Sequence, residues 1–439
     1  MTSRRVHVRI GAAGLPVGTL IVEADAGREA STFTYDPAWL SRPDAFGVAP
    51  HMPLRPDPFY TNRATNGSSL PSPIADGAPD SWGRAIIKAA RGGRVGSDLD
   101  YLVESDDYLR SGALRYFDGP TQDAQALAPP RKGKGEVSVP RLMDLEQVIA
   151  EARAFEADPV RYREKRARMV GGDLLRNAVG SLGGARPKVN AKDEDGALWI
   201  VKLAKIDDEY AVAPAEVMAL RLASRVGIAA AEATVLSVSQ RFPVAIVKRF
   251  DRDRRGNRIP FISAQTFMGL PGTEPGNYVD VAFQMHNWCS NPQAEKRELY
   301  RRMVFNVLIQ NTDDHLRNLG FLYDGNGKWG LSPAYDVNPV PEEGTTLKTA
   351  ISEDHGNVLD IDAAIEVSEY FDIRVDDART FASDMATVVR DEWRAIGIRL
   401  GMTASDVKAV APALENRQVE RAIALAAPMV AGTVPDPAG

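Results

Sequence analysis

The sequence is poor in the residues that form covalent and metal cross-links. Among its 439 residues there are five histidines and one cysteine, Cys289. A single cysteine excludes an internal disulfide and every metal site built from several cysteines. Cys289 directly follows Trp288 in a partly apolar stretch, where a small buried side chain is a more common role than a nucleophile.

Long apolar runs and an excess of positive charge are also absent. No stretch of eighteen apolar residues occurs, so no membrane-spanning helix is predicted. The net charge of −6 gives no electrostatic case for non-specific binding to nucleic acid, which needs a basic surface. The first residues loosely resemble a secretory signal, but the alternation of apolar and charged residues over 6–10 favours a strand. We expect a cytoplasmic protein without a membrane partner.

The strongest pattern in the sequence joins three polar residues near its C-terminal third. Asp313 is followed five positions later by Asn318, and Asp336 comes eighteen positions after that. The spacing is typical of a protein-kinase-like site: the first Asp orients the attacking hydroxyl or accepts its proton, and the Asn and the second Asp hold Mg²⁺ on the phosphates of ATP. Two strand-like segments, 320–323 and 328–331, flank a turn-rich insert. They predict a β-hairpin that returns Asp336 to the neighbourhood of the other two residues.

A glycine-rich stretch at 179–188 precedes two predicted strands, 186–191 and 197–204. Glycines let main-chain N–H groups approach a polyphosphate without interference from a Cβ atom. The stretch is neither a Walker A loop nor a Gly-x-Gly-x-x-Gly motif. Taken alone it is a weak signal, and an ordinary turn explains it as well.

Lys202 ends the second of these strands on an otherwise apolar face, just before a clear helix at 215–223. In a kinase-like site this lysine would bind the α- and β-phosphates, and Glu216 in the helix could pair with it. The alternative is a lysine whose stem packs while its amine reaches solvent. For Glu216 the functional and structural interpretations are equally open.

The segment 242–250 reads as the last strand of the same sheet, followed by a hinge. Adenine requires main-chain donors and acceptors beside an apolar slot. Lys248 and Phe250 are candidates for these contacts through their backbone. A plain interior strand accounts for the same residues equally well.

The chain is too long for one ordinary core and suggests two or three domains. A linker rich in Pro, Gly and charge at 118–135 marks one boundary. We predict an α+β fold with a β-rich N-terminal subdomain at 1–125, a kinase small lobe with one main helix at 140–250, and a helical large lobe at 251–430. This layout is that of a bilobal, protein-kinase-like fold.

Two other functions compete with the kinase interpretation. A metal-dependent phosphoester hydrolase would use Asp313, Asp314, His315 and Asp336 as a metal cluster. It would need further ligands, and neither His286 nor His355 lies in a metal-type motif. A catalytically inactive scaffold that binds a partner protein or a nucleotide is the second alternative, and the joint presence of the proposed catalytic residues argues against it.

The sequence resembles the HipA family of bacterial serine/threonine-protein kinases, which are toxins of type II toxin–antitoxin modules. The resemblance is carried by residues 180–188, 248–252, 311–318 and 331–339, and in the N-terminal part by 33–40 and 70–84. It therefore covers nearly the whole chain. It implies a HipA-like fold, similar to eukaryotic and phosphoinositide kinases, that uses ATP and Mg²⁺.

The resemblance also implies roles for individual residues. Asp313 corresponds to the catalytic base, Asn318 and Asp336 to the metal ligands, and Lys202 to the lysine that binds ATP. The further residues expected at the nucleotide are Ser181, Gly183, Gly184, Ala185, Lys188, Lys248, Phe250 and His315. His315 is expected to hold the catalytic loop by hydrogen bonds rather than act as the base, and Asp314 to occupy a solvent-facing turn.

Ser181 matches the loop serine that members of the family autophosphorylate, which implies self-inactivation. A phosphate in a loop built for ATP phosphates would repel them. The alternative is a serine that donates a hydrogen bond to a phosphate or caps the loop. The partners that the resemblance implies are a protein substrate, of which aminoacyl-tRNA synthetases are one class, and a helix-turn-helix, HipB-like antitoxin. DNA would be contacted only through that antitoxin.

Overall fold

The computed structural model describes residues 2–25, 28–93, 96–127, 139–167, 175, 186–205, 208–237, 243–272, 274–342 and 344–425. Four of the residues expected at the nucleotide, Ser181, Gly183, Gly184 and Ala185, lie outside these ranges. No helix within them combines the length and the apolar character needed to cross a membrane.

The N-terminal subdomain is built on a five-stranded antiparallel sheet with the strand order β4-β3-β2-β1-β5. Its elements are β1 (Thr2–Ile10), β2 (Leu15–Asp25), β3 (Arg28–Tyr35), α1 (Pro37–Leu40), β4 (Phe59–Asn62), α2 (Arg63–Asn66), α3 (Ser72–Ala75), α4 (Ser81–Ala90), α5 (Asp98–Glu104) and β5 (Leu114–Phe117). The consecutive pairing of β1, β2 and β3 forms a meander. Alternate side chains of these strands, among them Val8, Leu20 and Phe33, pack with Leu99 and Leu102 of α5 into one apolar core.

Helix α4 connects this subdomain to the small lobe. Its N-cap is Asp80, whose carboxylate accepts a hydrogen bond from the main-chain N–H of Gly83 at 2.7 Å. The cap satisfies one of the free N–H groups in the first helical turn and so starts the helix there. Trp82 and Ile86 then pack into the core of the small lobe, against residues such as Phe155 and Val201. Asp80 is thereby held at the boundary between the two parts.

The small lobe contains a four-stranded antiparallel sheet with the order β6-β7-β9-β8. Its elements are a short 3₁₀ helix (Leu142–Asp144), α6 (Leu145–Ala157), α7 (Pro159–Ala167), β6 (Lys188–Lys192), β7 (Leu198–Lys202), α8 (Val212–Arg225), β8 (Ala233–Ser237) and β9 (Pro243–Lys248). Helix α8 covers one face with an almost continuously buried sequence, which includes Glu216. A charged side chain in such a buried position requires a partner.

The large lobe is mostly helical and carries a three-stranded sheet, β10-β11-β12. Its elements are β10 (Phe261–Ser263), α9 (Ala264–Met268), α10 (Tyr278–Trp288), α11 (Pro292–Leu308), β11 (Gly320–Gly325), β12 (Lys328–Leu331), α12 (Ile361–Glu366), a 3₁₀ helix (Ser368–Phe371), α13 (Val375–Arg399), α14 (Ala404–Leu414) and α15 (Arg417–Ala424). Strands β11 and β12 pair antiparallel, so the predicted hairpin is confirmed.

A buried ionic cluster fixes the hinge after β9 to the N-terminal subdomain. The Arg249 guanidinium group donates to both carboxylate oxygens of Asp251, at 2.9 and 2.6 Å. It also donates to the main-chain oxygens of Leu109 at 2.6 Å and Arg110 at 3.3 Å. Asp251 in turn accepts a hydrogen bond from the N–H of Gly112 at 2.8 Å. The hinge and the 109–112 segment are therefore one connected unit.

Candidate active site

The loop after α11 places Asp313 at the surface of a cleft and Asn318 beneath it. The Asn318 side-chain amide donates to the main-chain oxygen of Asp313 at 3.1 Å, across the five-residue spacing seen in the sequence. The N–H of His315 donates to the same oxygen at 2.8 Å. These bonds fold the loop back on itself and leave the Asp313 carboxylate exposed.

Asp314 does not lie in a solvent-facing turn, and that prediction is wrong. Its carboxylate accepts hydrogen bonds from the Tyr278 hydroxyl and from the side-chain amide of Asn306, the latter at 2.8 Å. Its main-chain oxygen accepts a further hydrogen bond from the Thr349 hydroxyl at 2.6 Å. Burial raises the pKa of Asp314. The residue anchors the loop to α10 and α11, and no local sequence pattern indicates this role.

The side chain of His315 lines the cleft, but the loop is closed by its main chain. The His315 carbonyl accepts a hydrogen bond from the N–H of Asn318 at 2.7 Å. Nδ1 of the imidazole is buried and makes no hydrogen bond within the described part of the chain. The hydrogen bonds by which His315 holds the loop are therefore those of its main chain.

Lys202 joins the two lobes through buried ionic contacts. Its Nζ donates to Oε1 of Glu216 at 2.5 Å and to Oδ1 of Asp336 at 2.7 Å. The pair between Lys202 and Glu216, which the sequence left open, is thus formed. Burial alone would raise the pKa of Asp336, but the ammonium groups of Lys202 and Lys188 outweigh it and hold that pKa well below its usual range. Asp336 is therefore a carboxylate at neutral pH.

Asp336 also has an unusual backbone conformation, with φ of +56°. Residues other than glycine seldom adopt this left-handed region, although Asp and Asn tolerate it best. The Asn338 side-chain amide donates to Oδ1 of Asp336 at 3.1 Å, and the N–H of Asn338 donates to Oδ1 of Asn311 at 3.2 Å. The turn that presents Asp336 is therefore bonded to the start of the catalytic loop.

The structure agrees with only part of the adenine contact that was predicted at the hinge. The N–H of Lys248 donates to the main-chain oxygen of Glu232 at 2.8 Å, and its ammonium group pairs with the same residue at 3.0 Å. The expected main-chain donor to adenine at Lys248 is therefore already engaged. The Phe250 ring lies beside Phe261 and Tyr335, with centroid separations of 6.1 and 5.4 Å. It forms an apolar wall at the position expected for adenine.

One cleft of about 930 Å³ brings together the predicted residues that the structure describes, except Lys188. It is lined by Lys202, Lys248, Phe250, Asp313, His315, Asn318 and Asp336. The N-terminal subdomain supplies a further wall with Arg63, Asp80, Arg84 and Asp98, which the sequence did not single out. Lys188 lies directly opposite Lys202 across the β6–β7 pairing and forms an ion pair with Asp80 at 3.7 Å.

The donor set in this cleft fits a magnesium ion. Mg²⁺ prefers oxygen ligands and is commonly held by one or two carboxylates together with phosphates and water. Asn318 contributes an amide oxygen and Asp336 an ionised carboxylate, both facing the same cleft. Within the described ranges, no three His, Cys, Asp or Glu side chains form a group that could hold a metal. The metal cluster that the hydrolase alternative requires is not formed there, because Asp314 is bonded to Tyr278 and Asn306.

Comparison with known proteins agrees with this architecture. Residues 8–109 match the family model described as the HipA N-terminal domain, and residues 180–393 match the HipA-like C-terminal domain. The structure is similar to that of HipA from Shewanella oneidensis MR-1, which was solved in a toxin–antitoxin complex with HipB and its operator DNA. The TM-score is 0.68 at 18% identity, over 95% of this chain and 96% of that one. The predicted kinase-like, bilobal fold is confirmed.

Two curated bacterial proteins are also similar in sequence. The Sinorhizobium fredii protein named "Putative kinase Y4mE" is 24% identical over 333 residues, which is 70% of this chain and 71% of that protein. A Haemophilus influenzae protein named "Putative kinase" is 31% identical over 109 residues, or 22% of this chain. This second match spans about a third of the relative's own length, 32%.

Proposed function

This chain belongs to the HipA family, and we propose that it transfers the γ-phosphate of ATP to a serine or threonine hydroxyl of a protein. One observation carries the proposal. Lys202 bonds Glu216 and Asp336 simultaneously, in the same cleft that exposes the Asp313 carboxylate. A lysine–glutamate pair beside a metal-binding Asp is the arrangement that protein kinases require for phosphoryl transfer.

In the proposed reaction Asp313 orients the attacking hydroxyl and accepts its proton. The hydrogen bonds of Asn318 and His315 to the Asp313 main chain keep this carboxylate at the cleft surface. Lys202 would bind the α- and β-phosphates, and the Phe250 wall would contact adenine. Asn318 and Asp336 would hold Mg²⁺, which neutralises charge on the β- and γ-phosphates when it is bound.

The remaining nucleotide contacts and the regulation belong to the same proposal. We assign Ser181, Gly183, Gly184, Ala185 and Lys188 to the phosphate loop and its following strand. Autophosphorylation of Ser181 would place about two negative charges where the ATP phosphates bind, and would therefore inactivate the enzyme. Mass spectrometry after incubation with Mg-ATP should find phosphate on Ser181, and phosphate found only at other residues would refute this route of self-inactivation.

We further propose that the protein is a growth-inhibiting toxin whose partner is a HipB-like helix-turn-helix antitoxin. The fold similarity to the HipA of the Shewanella complex supports this proposal. DNA would be contacted through the antitoxin, and an aminoacyl-tRNA synthetase is the proposed class of substrate. Because the activity consumes ATP, we place it in the cytoplasm. We also propose that 1–125, 140–250 and 251–430 are the three structural units.

The proposal is tested with radiolabelled ATP and the Asp313→Ala variant. Removal of a general base typically lowers the rate about 10²- to 10⁴-fold, so label transfer to protein should fall by that factor. Asp324→Ala is the matched control, because Asp324 is an exposed carboxylate near the end of β11. Full label transfer by Asp313→Ala would reject Asp313 as the base. Release of free phosphate by the unmodified protein, without labelled protein, would favour the hydrolase alternative.

A further inference from the structure

A carboxylate of the N-terminal subdomain is buried beside the phosphate-binding lysines. Asp80 caps α4 through Oδ1, which accepts the N–H of Gly83 at 2.7 Å. Its other oxygen, Oδ2, lies 3.7 Å from Nζ of Lys188, and the two side chains are only 5% and 4% exposed. Within the described part of the chain, Oδ2 makes no hydrogen bond. The cap therefore accounts for one oxygen of Asp80, and the ion pair with Lys188 for the other.

The positive charge of Lys188 lies beside that of Lys202 and needs a nearby carboxylate to compensate it. It pairs with Lys202 directly across the antiparallel β6–β7 ladder, so both side chains leave the same face of the sheet. Like charges in such a pair repel each other unless carboxylates compensate them. Lys202 is compensated by Glu216 and Asp336. Three carboxylates attract Lys188: Asp80, with which it forms the ion pair, Asp336 and Glu216.

Lys188 is thus drawn both to Asp80 and to the proposed magnesium ligand Asp336. Resting on the proposed kinase function, we propose that Asp80 is a positioning residue that restrains Lys188 and so keeps Asp336 available to Mg²⁺. Without the charge of Asp80, Asp336 and Glu216 remain to attract the ammonium group of Lys188. The ammonium group would then compete with the metal for the same carboxylate. The N-terminal subdomain, which contributes Asp80, is by this account a component of the nucleotide site.

The test is calorimetric binding of the non-hydrolysable ATP analogue AMPPNP to the full chain at a series of Mg²⁺ concentrations. Asp80→Asn removes the charge while keeping the helix cap, since Asn caps helices as well as Asp does. We expect the Mg²⁺ concentration for half-maximal binding to rise roughly three- to tenfold, because a full charge is lost next to a partly buried cation site.

The matched control is Asp36→Asn. Asp36 caps α1 of the same subdomain by accepting the N–H of Ala38 at 2.8 Å, and it does not line the cleft. This variant should bind AMPPNP with the Mg²⁺ dependence of the unmodified protein. The double variant Asp80→Asn/Lys188→Met removes the competing ammonium group, so its Mg²⁺ midpoint should return toward the original value even where nucleotide affinity falls.

The outcomes distinguish the positioning role of Asp80 from a purely structural role, and both from a failure of the proposed kinase function. A helix-stabilising role alone would lower the unfolding temperature without moving the Mg²⁺ midpoint. Equal midpoints for Asp80→Asn and Asp36→Asn, in a protein that binds Mg-AMPPNP, would overturn the role of Asp80. Failure of the unmodified protein to bind Mg-AMPPNP would overturn the proposed kinase function, and this inference with it.

Discussion

Replacement of Lys202 by Met tests the ionic contact on which the site depends. Lys202 is 11% exposed at its side chain, Glu216 4% and Asp336 21%. Methionine has similar length but no charge, so the two carboxylates would lose the cation that bridges them. Removal of one partner from a buried ion pair costs about 3–5 kcal/mol, and we expect a loss of that size in the free energy of unfolding at pH 7.

The matched control is Lys248→Met in the neighbouring strand β9. The ion pair of Lys248 with Glu232 has the same chemistry, but its side chains are 42% and 65% exposed. Exposed pairs contribute about 0–1 kcal/mol, so the control should change the free energy of unfolding by no more than that. Urea titrations followed by tryptophan fluorescence measure both variants.

The loss at Lys202→Met should also depend on pH in a defined direction. Burial already raises the pKa of Glu216 in the presence of Lys202. Without the ammonium group, that pKa rises further above its value in the unfolded chain. Such a carboxyl contributes stability that is present at low pH and is lost as the pH rises through its folded pKa. The loss should therefore shrink as the pH is lowered from 7 toward 5. A loss equal to that of Lys248→Met, or one that grows toward acid pH, would refute the buried contact.

Three further variants test other parts of the structure. Burial raises the pKa of Asp80 to about 6, above its value in the unfolded chain. The unmodified protein should therefore lose stability as the pH rises from 4 to 7, by up to about 3 kcal/mol relative to Asp80→Asn. Urea unfolding at each pH measures the difference. A pH-independent difference would contradict this. Asp314→Ala removes the acceptor of the Tyr278 hydroxyl and one of two acceptors of the Asn306 amide, which also donates to that hydroxyl. It should cost about 1–3 kcal/mol in the same assay; a cost under 0.5 kcal/mol, on the order expected for surface sites, would show that the donors find water. Asp251→Asn leaves the guanidinium groups around it uncompensated and should cost about 3–5 kcal/mol, whereas full stability would mean that these groups reach solvent.

The parts of the site that the sequence predicts are those with a local signature. The turn-rich insert indicates the β11–β12 hairpin, and the alternation that ends at Lys202 indicates which face that lysine occupies. In each case the pattern and the feature it predicts lie within a few residues of each other.

The contacts that the sequence does not predict join residues far apart along the chain. The approach of Asp80 to Lys188 depends on how α4 docks on the small lobe, and the anchor of Asp314 depends on the packing of α10 against α11. Neither depends on a local pattern. Strand β10 has only three residues, Phe261–Ser263, and is defined by its pairing with β11 rather than by its own composition. Strand register and helix docking depend on contacts between distant parts of the folded chain, so short sequence patterns do not predict them.

The contacts of Arg249 determine where this protein could be cut. A fragment that began after residue 139 would keep the guanidinium group but lose the two carbonyls, of Leu109 and Arg110, that accept its protons. Asp251 and Asn190 would still accept hydrogen bonds from the guanidinium group, so the loss is that of two hydrogen bonds from a charged donor, about 1.5–3 kcal/mol each. We therefore expect the two lobes, expressed without the N-terminal subdomain, to unfold at a lower urea concentration than the full chain. A truncation intended to isolate them would have to supply other acceptors for Arg249 or tolerate that loss, while keeping Asp251 for Arg252.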